Sequence, residues 1–261
     1  MTPPLLNITL SHEELGLLLR LLNLAPIPGL RPTFAATPEQ EAFGLAVAAR
    51  ALRARELAQL DADGQFVLHT AVAALIGVVA LPERAVVVQH IRTDVTVRDM
   101  YAARRGAAVV SYTTPEVGLY QFSALPDLAT LIERVLAFCD GDDLPVPPAM
   151  PAFVIDDAAL RAVRSSADAG DADAAEHGLL QAHAPPASAA ALAAALTTPH
   201  RLSIIFEITP QGDAAPVVNE ITLLGGAAGA WLMLPGATEG SRQLQPITTD
   251  ALHTLLAERL G

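Results

Sequence analysis

The chain has 261 residues, one cysteine and a formal net charge of −12, and arginine supplies all sixteen basic residues. That charge repels phosphate backbones and argues against nucleic-acid binding, the single Cys139 excludes an internal disulfide framework, and the missing lysine excludes Schiff-base chemistry and any GxxxxGK[ST] phosphate loop. The length allows a full core that buries about 70–75% of the unfolded surface, while the longest apolar stretch, Ala71–Leu81, falls short of the roughly 20 residues that cross a bilayer.

The opening MTPPLLNITL has no basic n-region, so no secretory signal is predicted and a cytoplasmic location is expected. Next, Thr9-Leu10-Ser11-His12-Glu13-Glu14-Leu15 reads as a helix start: a serine cap, first-turn acids, then an apolar pattern. His12-Glu13-Glu14 is no zinc motif, because Gly16 stands where a second histidine would be needed. A long helical stretch, rich in Ala, Leu and Arg, is predicted over Pro38–Leu60. Arg50, Arg53 and Arg55 are read as its solvated face. Asp61-Ala62-Asp63-Gly64 predicts a tight turn rather than a calcium loop, since Gln59 and Thr70 occupy positions that need acids.

A helix through Ala71–Leu81 then leads to four strands, Ala85–Arg92, Val95–Ala102, Ala107–Thr113 and Val117–Phe122. The turns after the second and third, Arg104-Arg105-Gly106 and Pro115-Glu116, are too short for parallel returns, so the strands form an antiparallel meander. Leu128–Phe138 is an amphipathic helix, and Cys139 after it is read as a buried structural thiol. Asp140–Pro151 contains four prolines and reads as a stiff linker. Beyond it come a second helix start at Val154–Leu160, a flexible loop over Ser165–Ala175, and a second Ala-rich helix. Strands follow at Leu202–Thr209, Pro216–Leu224, Gly229–Leu234 and Gln243–Pro246, then a closing Leu-rich helix. Gly225–Gly229 lacks the spacing of a phosphate cradle and predicts a hairpin, with Trp231 beside it as a core or sheet-face aromatic.

The order of these parts repeats. Ala74-Leu75, Pro82, Arg84 and Ile91 align without a gap on Ala191-Leu192, Pro199, Arg201 and Ile208. Thr9–Leu15 matches Val154–Leu160, and Leu128, Leu131, Ile132 and Leu136 match Leu252, Leu255, Leu256 and Leu260. Three matched segments in one order predict an internal duplication. The expected fold is therefore α+β: a pseudo-duplicated unit of helices, antiparallel meander and closing helix, whose two copies can share one central sheet. Residues 1–139 form the first repeat, 140–151 the proline-rich linker and 152–261 the second repeat.

The only polar cluster with chemical potential is His90, Arg92, Asp94, Arg98 and Asp99, across two predicted neighbouring strands. An acid–base pair of His90 and Asp94 is one reading. A solvent-exposed sheet face with cross-strand charge pairs is the favoured one, because the second repeat does not share the cluster. His177, His183, His200 and His253 stand alone and predict no metal site.

Four parts of the chain, taken in order, carry a family resemblance. LSHEELGLLLRLLNL is followed by AARALRARELAQLDADGQFVLHTAVAALIGVVALPERAVVV, then by the meander and the Leu-rich closing helix. In order and spacing, the sequence resembles the EspG-type cytosolic chaperones of type VII (ESX) secretion over most of its length. The resemblance implies a pseudo-duplicated protein with antiparallel sheet and helical bundles. It implies no enzymatic activity, no cofactor and no metal, with a secreted PE–PPE helical heterodimer as partner. It transfers no individual binding residue, because no short motif carries it. From the residues themselves, partner contacts are expected in the charged and loop segments, at Arg92, Asp94, Arg98, Asp99, Arg104 and Arg105, and over Pro210–Pro216. Two alternatives accompany this expectation: an enzyme with a site near His90 and Asp94, and a protein that self-associates as a homodimer through Phe43–Leu57.

Overall fold

The structure is a computed structural model that describes residues 6–30, 37–92, 97–145, 150–199, 201–212, 214–227 and 229–261. Its first half runs through strand β1 (Asn7–Ser11), helix α1 (His12–Leu21), helix α2 (Pro38–Ala54), a small hairpin of β2 (Ala58–Leu60) and β3 (Phe66–Leu68), and helix α3 (Thr70–Ala80). Strands β4 (Arg84–Arg92), β5 (Val97–Arg105), β6 (Ala108–Glu116) and β7 (Leu119–Leu125) follow, closed by helix α4 (Leu128–Phe138). The second half runs through β8 (Phe153–Asp156), α5 (Asp157–Asp168), α6 (Ala172–Gln181), α7 (Pro186–Thr197), β9 (Arg201–Gln211), β10 (Ala214–Gly226), β11 (Gly229–Pro235), β12 (Ser241–Ile247) and α8 (Thr249–Leu260). Apart from the β2–β3 hairpin, the two halves have the same element order.

Ten strands form one sheet in the order β1-β7-β6-β5-β4-β9-β10-β11-β12-β8. The first half contributes five in the order 1-7-6-5-4, and the second half repeats that order in reverse. The fold is thus α+β and pseudo-duplicated, with both copies in a shared sheet. One backbone contact occurs in both copies: His12 N–H donates to the Gly118 carbonyl and Asp157 N–H to that of Gly240, each at 2.8 Å. Both glycines sit at positive φ, +82° and +75°, a conformation that glycine adopts without steric cost.

The predicted helix starts form as the residues dictate. The Ser11 hydroxyl accepts the Glu14 N–H while Glu14 reaches back to the Ser11 N–H, a complete capping box. In the second copy the Asp156 carboxylate accepts the Ala159 N–H at 2.7 Å. The residues just before these caps are strands, which the sequence reading did not separate from the helix entry. In β1 Ile8 and Leu10 point inward, and in β8 Phe153 and Ile155 do. Strands of four and five residues offer only two inward positions each, too few to show a period.

Three expectations change. The helix predicted to Leu60 ends at Ala54, where Glu56 adopts φ +58° and Leu57 N–H reaches back to the Leu52 carbonyl at 2.9 Å. That closure redirects the chain into β2. The expected loop over Ser165–Ala175 is instead the end of α5 and the start of α6. Arg164 pairs with Asp168 one turn on at 3.1 Å, Gly170 turns the chain at φ +80°, and Asp171 caps α6 by accepting the Ala174 N–H at 2.9 Å. Its alanines are strong helix formers that pack closely: Ala167 and Ala175 are buried. In the closing helices, Asp127 and Thr248 are the equivalent caps. Leu131 and Val135 therefore match Leu252 and Leu256, three residues from the sequence alignment. A three-residue slip on a helix stays near the same face, which hides it from apolar spacing.

The proline-rich stretch is anchored where it begins. Arg201 donates to the Asp140 carbonyl. The Thr249 hydroxyl donates to the Gly141 carbonyl at 3.1 Å and accepts the Leu144 N–H at 3.2 Å. Residues 146–149 lie outside the described residues.

The chain packs as two compact units. The first comprises Met1–Val86, Met100–Leu131 and Thr209–Ala215. Its core holds Leu10, Leu15, Leu18, Leu52, Ile76, Met100, Tyr112 and Phe122. Tyr112 stacks on Tyr101 with ring centroids 4.7 Å apart, lies 5.0 Å from the Phe122 ring, and donates its hydroxyl proton to the Pro28 carbonyl. Arg55 ties α2 to the other N-terminal elements: it donates to both Glu14 carboxylate oxygens at 3.2 Å and to the Thr9 carbonyl at 2.7 Å. The second unit comprises Val87–Asp99, Ile132–Ile208 and Pro216–Gly261. Helices α5, α6 and α7 bury Val163, Leu179, Leu192 and Leu196 against Leu224, Trp231, Leu244 and Phe153. At Gly226 a Cβ would come within 2.8 Å of the Ala195 Cβ, so glycine lets the strand backbone approach α7 closely.

Candidate protein-binding surfaces

Strand β5 carries four of the six predicted contact residues. Arg98 and Asp99 lie at its start, and Arg104 and Arg105 at its end, about 20 Å further along at strand rise. It does not gather them into one cluster. Arg98 is exposed, with its guanidinium carbon 5.0 Å from the centre of the Phe138 ring, and Asp99 accepts from the Gln89 amide at 3.3 Å. Arg105 is exposed and Arg104 half-buried. Their turn is braced by Glu83, whose carboxylate accepts the Gly106 N–H and whose N–H donates to the Arg104 carbonyl, both at 2.9 Å. Arg92 ends β4; its side chain and Asp94 lie outside the described residues.

His90 corrects the reading of this region as a solvent-exposed face, because its exposure is 0%. Its Nε2 lies 3.2 Å from the Asp140 carboxylate and its Nδ1 2.8 Å from the Ser203 hydroxyl. The Nε2 contact is a close electrostatic approach rather than a hydrogen bond, and Nδ1 shares a hydrogen bond with the Ser203 hydroxyl. The series serine–histidine–aspartate has the chemical types of a nucleophilic triad. Ser203 is also fully buried, so no substrate reaches its oxygen, and the three residues act as a cross-link within the second unit. The sequence reading missed this because a histidine in a strand gives no sign of which face is covered.

Cys139 neighbours this cluster and is itself buried. Burial pushes its thiol from the ordinary 9.0 up to about 12, and the neighbouring Asp140 charge acts in the same direction. The folded state therefore resists ionising a thiol that ionises near 9 when unfolded. The stability this contributes is intact below pH 9 and is lost as pH rises toward 12. Burial also drives the Tyr112 hydroxyl above its ordinary 10.0, with the same sign. Thermal unfolding is expected to move to lower temperature between pH 9 and 12, less steeply in Cys139→Ala; identical slopes in the two proteins would contradict it.

The second unit also contains a groove of about 370 Å³. Its apolar floor is Leu196, Leu202, Ile204 and Met233, and its rim carries Arg161, Arg164, Arg242, Asp157 and Glu220. Arg242 holds part of the rim, donating to Asp157 at 3.1 Å and to Glu220 at 3.4 Å. Sequence reasoning did not find this surface. The available signal was α5 itself, whose Arg161 and Arg164 lie three apart and beside inward-facing Val163. Elsewhere, Val217 and Val218 are about half exposed on β10 just past the predicted contact segment Pro210–Pro216. On α2, Phe43 is 69% exposed, at the edge of the face assigned to self-association.

Among the described residues no group of three or more His, Cys, Asp or Glu could hold a metal ion, and no helix is long and apolar enough to cross a membrane. The sequence matches the EspG family across residues 11–258. The chain belongs to the EspG family. This EspG-family chain is also similar in structure to the type VII secretion system chaperone EspG5 of Mycobacterium tuberculosis, solved in complex with a PE25–PPE41 dimer. The TM-score is 0.73 and the identity 21%, over 98% of this chain and 96% of that one. At that identity the likeness shows the fold. No curated protein matches the EspG-family chain significantly.

Proposed function

We propose that this EspG-family protein is a non-enzymatic cytosolic chaperone of type VII secretion that binds a secreted helical dimer of the PE–PPE kind. The family match over residues 11–258 carries the reading, and the similar EspG5 chaperone holding a PE25–PPE41 dimer supplies the class of partner. The surfaces of this chain suit that role. The second unit's groove joins an apolar floor to a rim of both charge signs, as a docked helical tip requires. Arg92, Asp94, Arg98, Asp99, Arg104 and Arg105 are proposed as further charged contacts. Residues 1–139 and 152–261 are proposed as the two repeats, joined by 140–151, with binding residues concentrated where the copies differ.

Co-expression with the PE–PPE dimers of its own genome, followed by size-exclusion chromatography with light scattering, tests this reading. A complex of one chaperone with one heterodimer is expected; separate elution from every dimer tried would contradict it. The double variant Arg98→Glu and Arg105→Glu should associate about tenfold more slowly, with salt sensitivity reduced. Both side chains are exposed, so its thermal midpoint should stay within about 2 °C of the parent. An unchanged association rate would remove the hairpin ends from the interface.

A further inference from the structure

The first unit contains a cavity of about 800 Å³ between the end of α2 and the β2–β3 hairpin, which the chaperone reading does not use. Arg50, Arg53, Glu56, Gln59, Leu60 and His69 line it. Arg50 and Arg53 are three apart on α2 and share a face. In a chain of net charge −12, neither has an acidic partner among the described residues, whereas Arg20, Arg55, Arg164 and Arg242 all do. Glu56 is the one carboxylate in the lining. His69 accepts the Ala71 N–H through Nδ1 at 3.2 Å, which leaves its neutral ring with Nε2–H as a donor.

The cavity's other wall is a strand edge. Among the described residues strand β2 pairs only with β3, in a two-stranded sheet. Asp61 N–H donates to the Gln65 carbonyl and His69 N–H to that of Leu57, both at 2.9 Å. Residues 57, 59 and 61 therefore bond toward β3, and the alternation of an antiparallel ladder turns the N–H and C=O of Ala58 and Leu60 away from it. Leu60 is 45% exposed. Two guanidinium groups without acidic partners thus stand beside an open strand edge.

We propose that this cavity binds an extended acidic peptide segment of a partner protein, which adds a strand along β2 and places a carboxylate against Arg50 and Arg53. The edge supplies main-chain bonds and the arginines supply selection for negative charge. The peptide is favoured over a free anion because the outward Leu60 carbonyl, an acceptor, has no use for one. The site is independent of the dimer-binding role proposed above.

The test is fluorescence anisotropy with a labelled hexapeptide alternating glutamate and threonine, titrated with the full chain. Saturable binding is expected, lost when lysine replaces glutamate and weakened by salt. Arg50→Gln and Arg53→Gln should each weaken it about tenfold, the scale of one charge-assisted hydrogen bond. Leu60→Pro removes the outward N–H and should abolish peptide binding, with circular dichroism confirming the fold. Amide exchange in the parent should show Leu60 protected by the peptide, a readout independent of that variant. Absence of saturable binding up to millimolar protein would overturn the proposal. So would equal binding by the arginine variants, or displacement by citrate with Leu60 unprotected, which would mark a small-anion site.

Discussion

Trp231→Ala is expected to lower stability by about 3–5 kcal/mol, the range for removing a large aromatic from a packed core. Trp231 is 1% exposed on β11 and meets the Phe153 ring edge-on, with centroids 6.3 Å apart. Phe153 lies on β8, the short edge strand that pairs with β12, so the cavity would open where the strand before α5 is held. Domains are stable by only about 5–15 kcal/mol, so the variant should lose a large fraction of the parent's stability. Urea unfolding measures it. A loss below about 1 kcal/mol would mean that Trp231 is not a core anchor.

The second large effect belongs to His90. Replacing it with alanine leaves the buried Ser203 hydroxyl without the ring it bonds and removes the close Nε2 contact with the half-exposed Asp140 carboxylate. Unsatisfied buried groups cost about 1–3 kcal/mol and the vacated volume adds to that, so a total loss of about 2–4 kcal/mol is expected. The variant separates structure from chemistry. If His90 is a cross-link, the folded fraction at low temperature binds a PE–PPE dimer as tightly as the parent does. Wild-type stability together with lost function would return His90 to the position of a functional residue.

His90 also shows where the sequence was legible and where it was not. Its place in a strand was readable, and so was the strand's match to the second copy through Arg84 and Arg201. Its burial was not, because which face is covered depends on elements far away in sequence. Ser203 lies 113 residues on, and no local pattern joins the two. The duplication was legible because helix caps and strand entries leave local chemical marks: Ser11 and Asp156 before acids, and Pro82 and Arg84 against Pro199 and Arg201. Strands β1 and β8 were too short to show alternation. The turn between α5 and α6 was masked by small residues that suit both loops and close-packed helices. The groove was invisible for the same reason as the burial of His90: its lining comes from α5, α7 and four strands. The arginines of α2 were read as solvated, and the structure adds an open strand edge beside them.

Hydrogen–deuterium exchange of the protein alone and saturated with a PE–PPE dimer of its own genome tests the chaperone account most directly. The account predicts slowed exchange in α5, in the β9 and β10 segments of the groove, and at the ends of β5, with α8 unchanged. Saturation with no slowing in any of those segments, or protection confined to elements outside them, would contradict it.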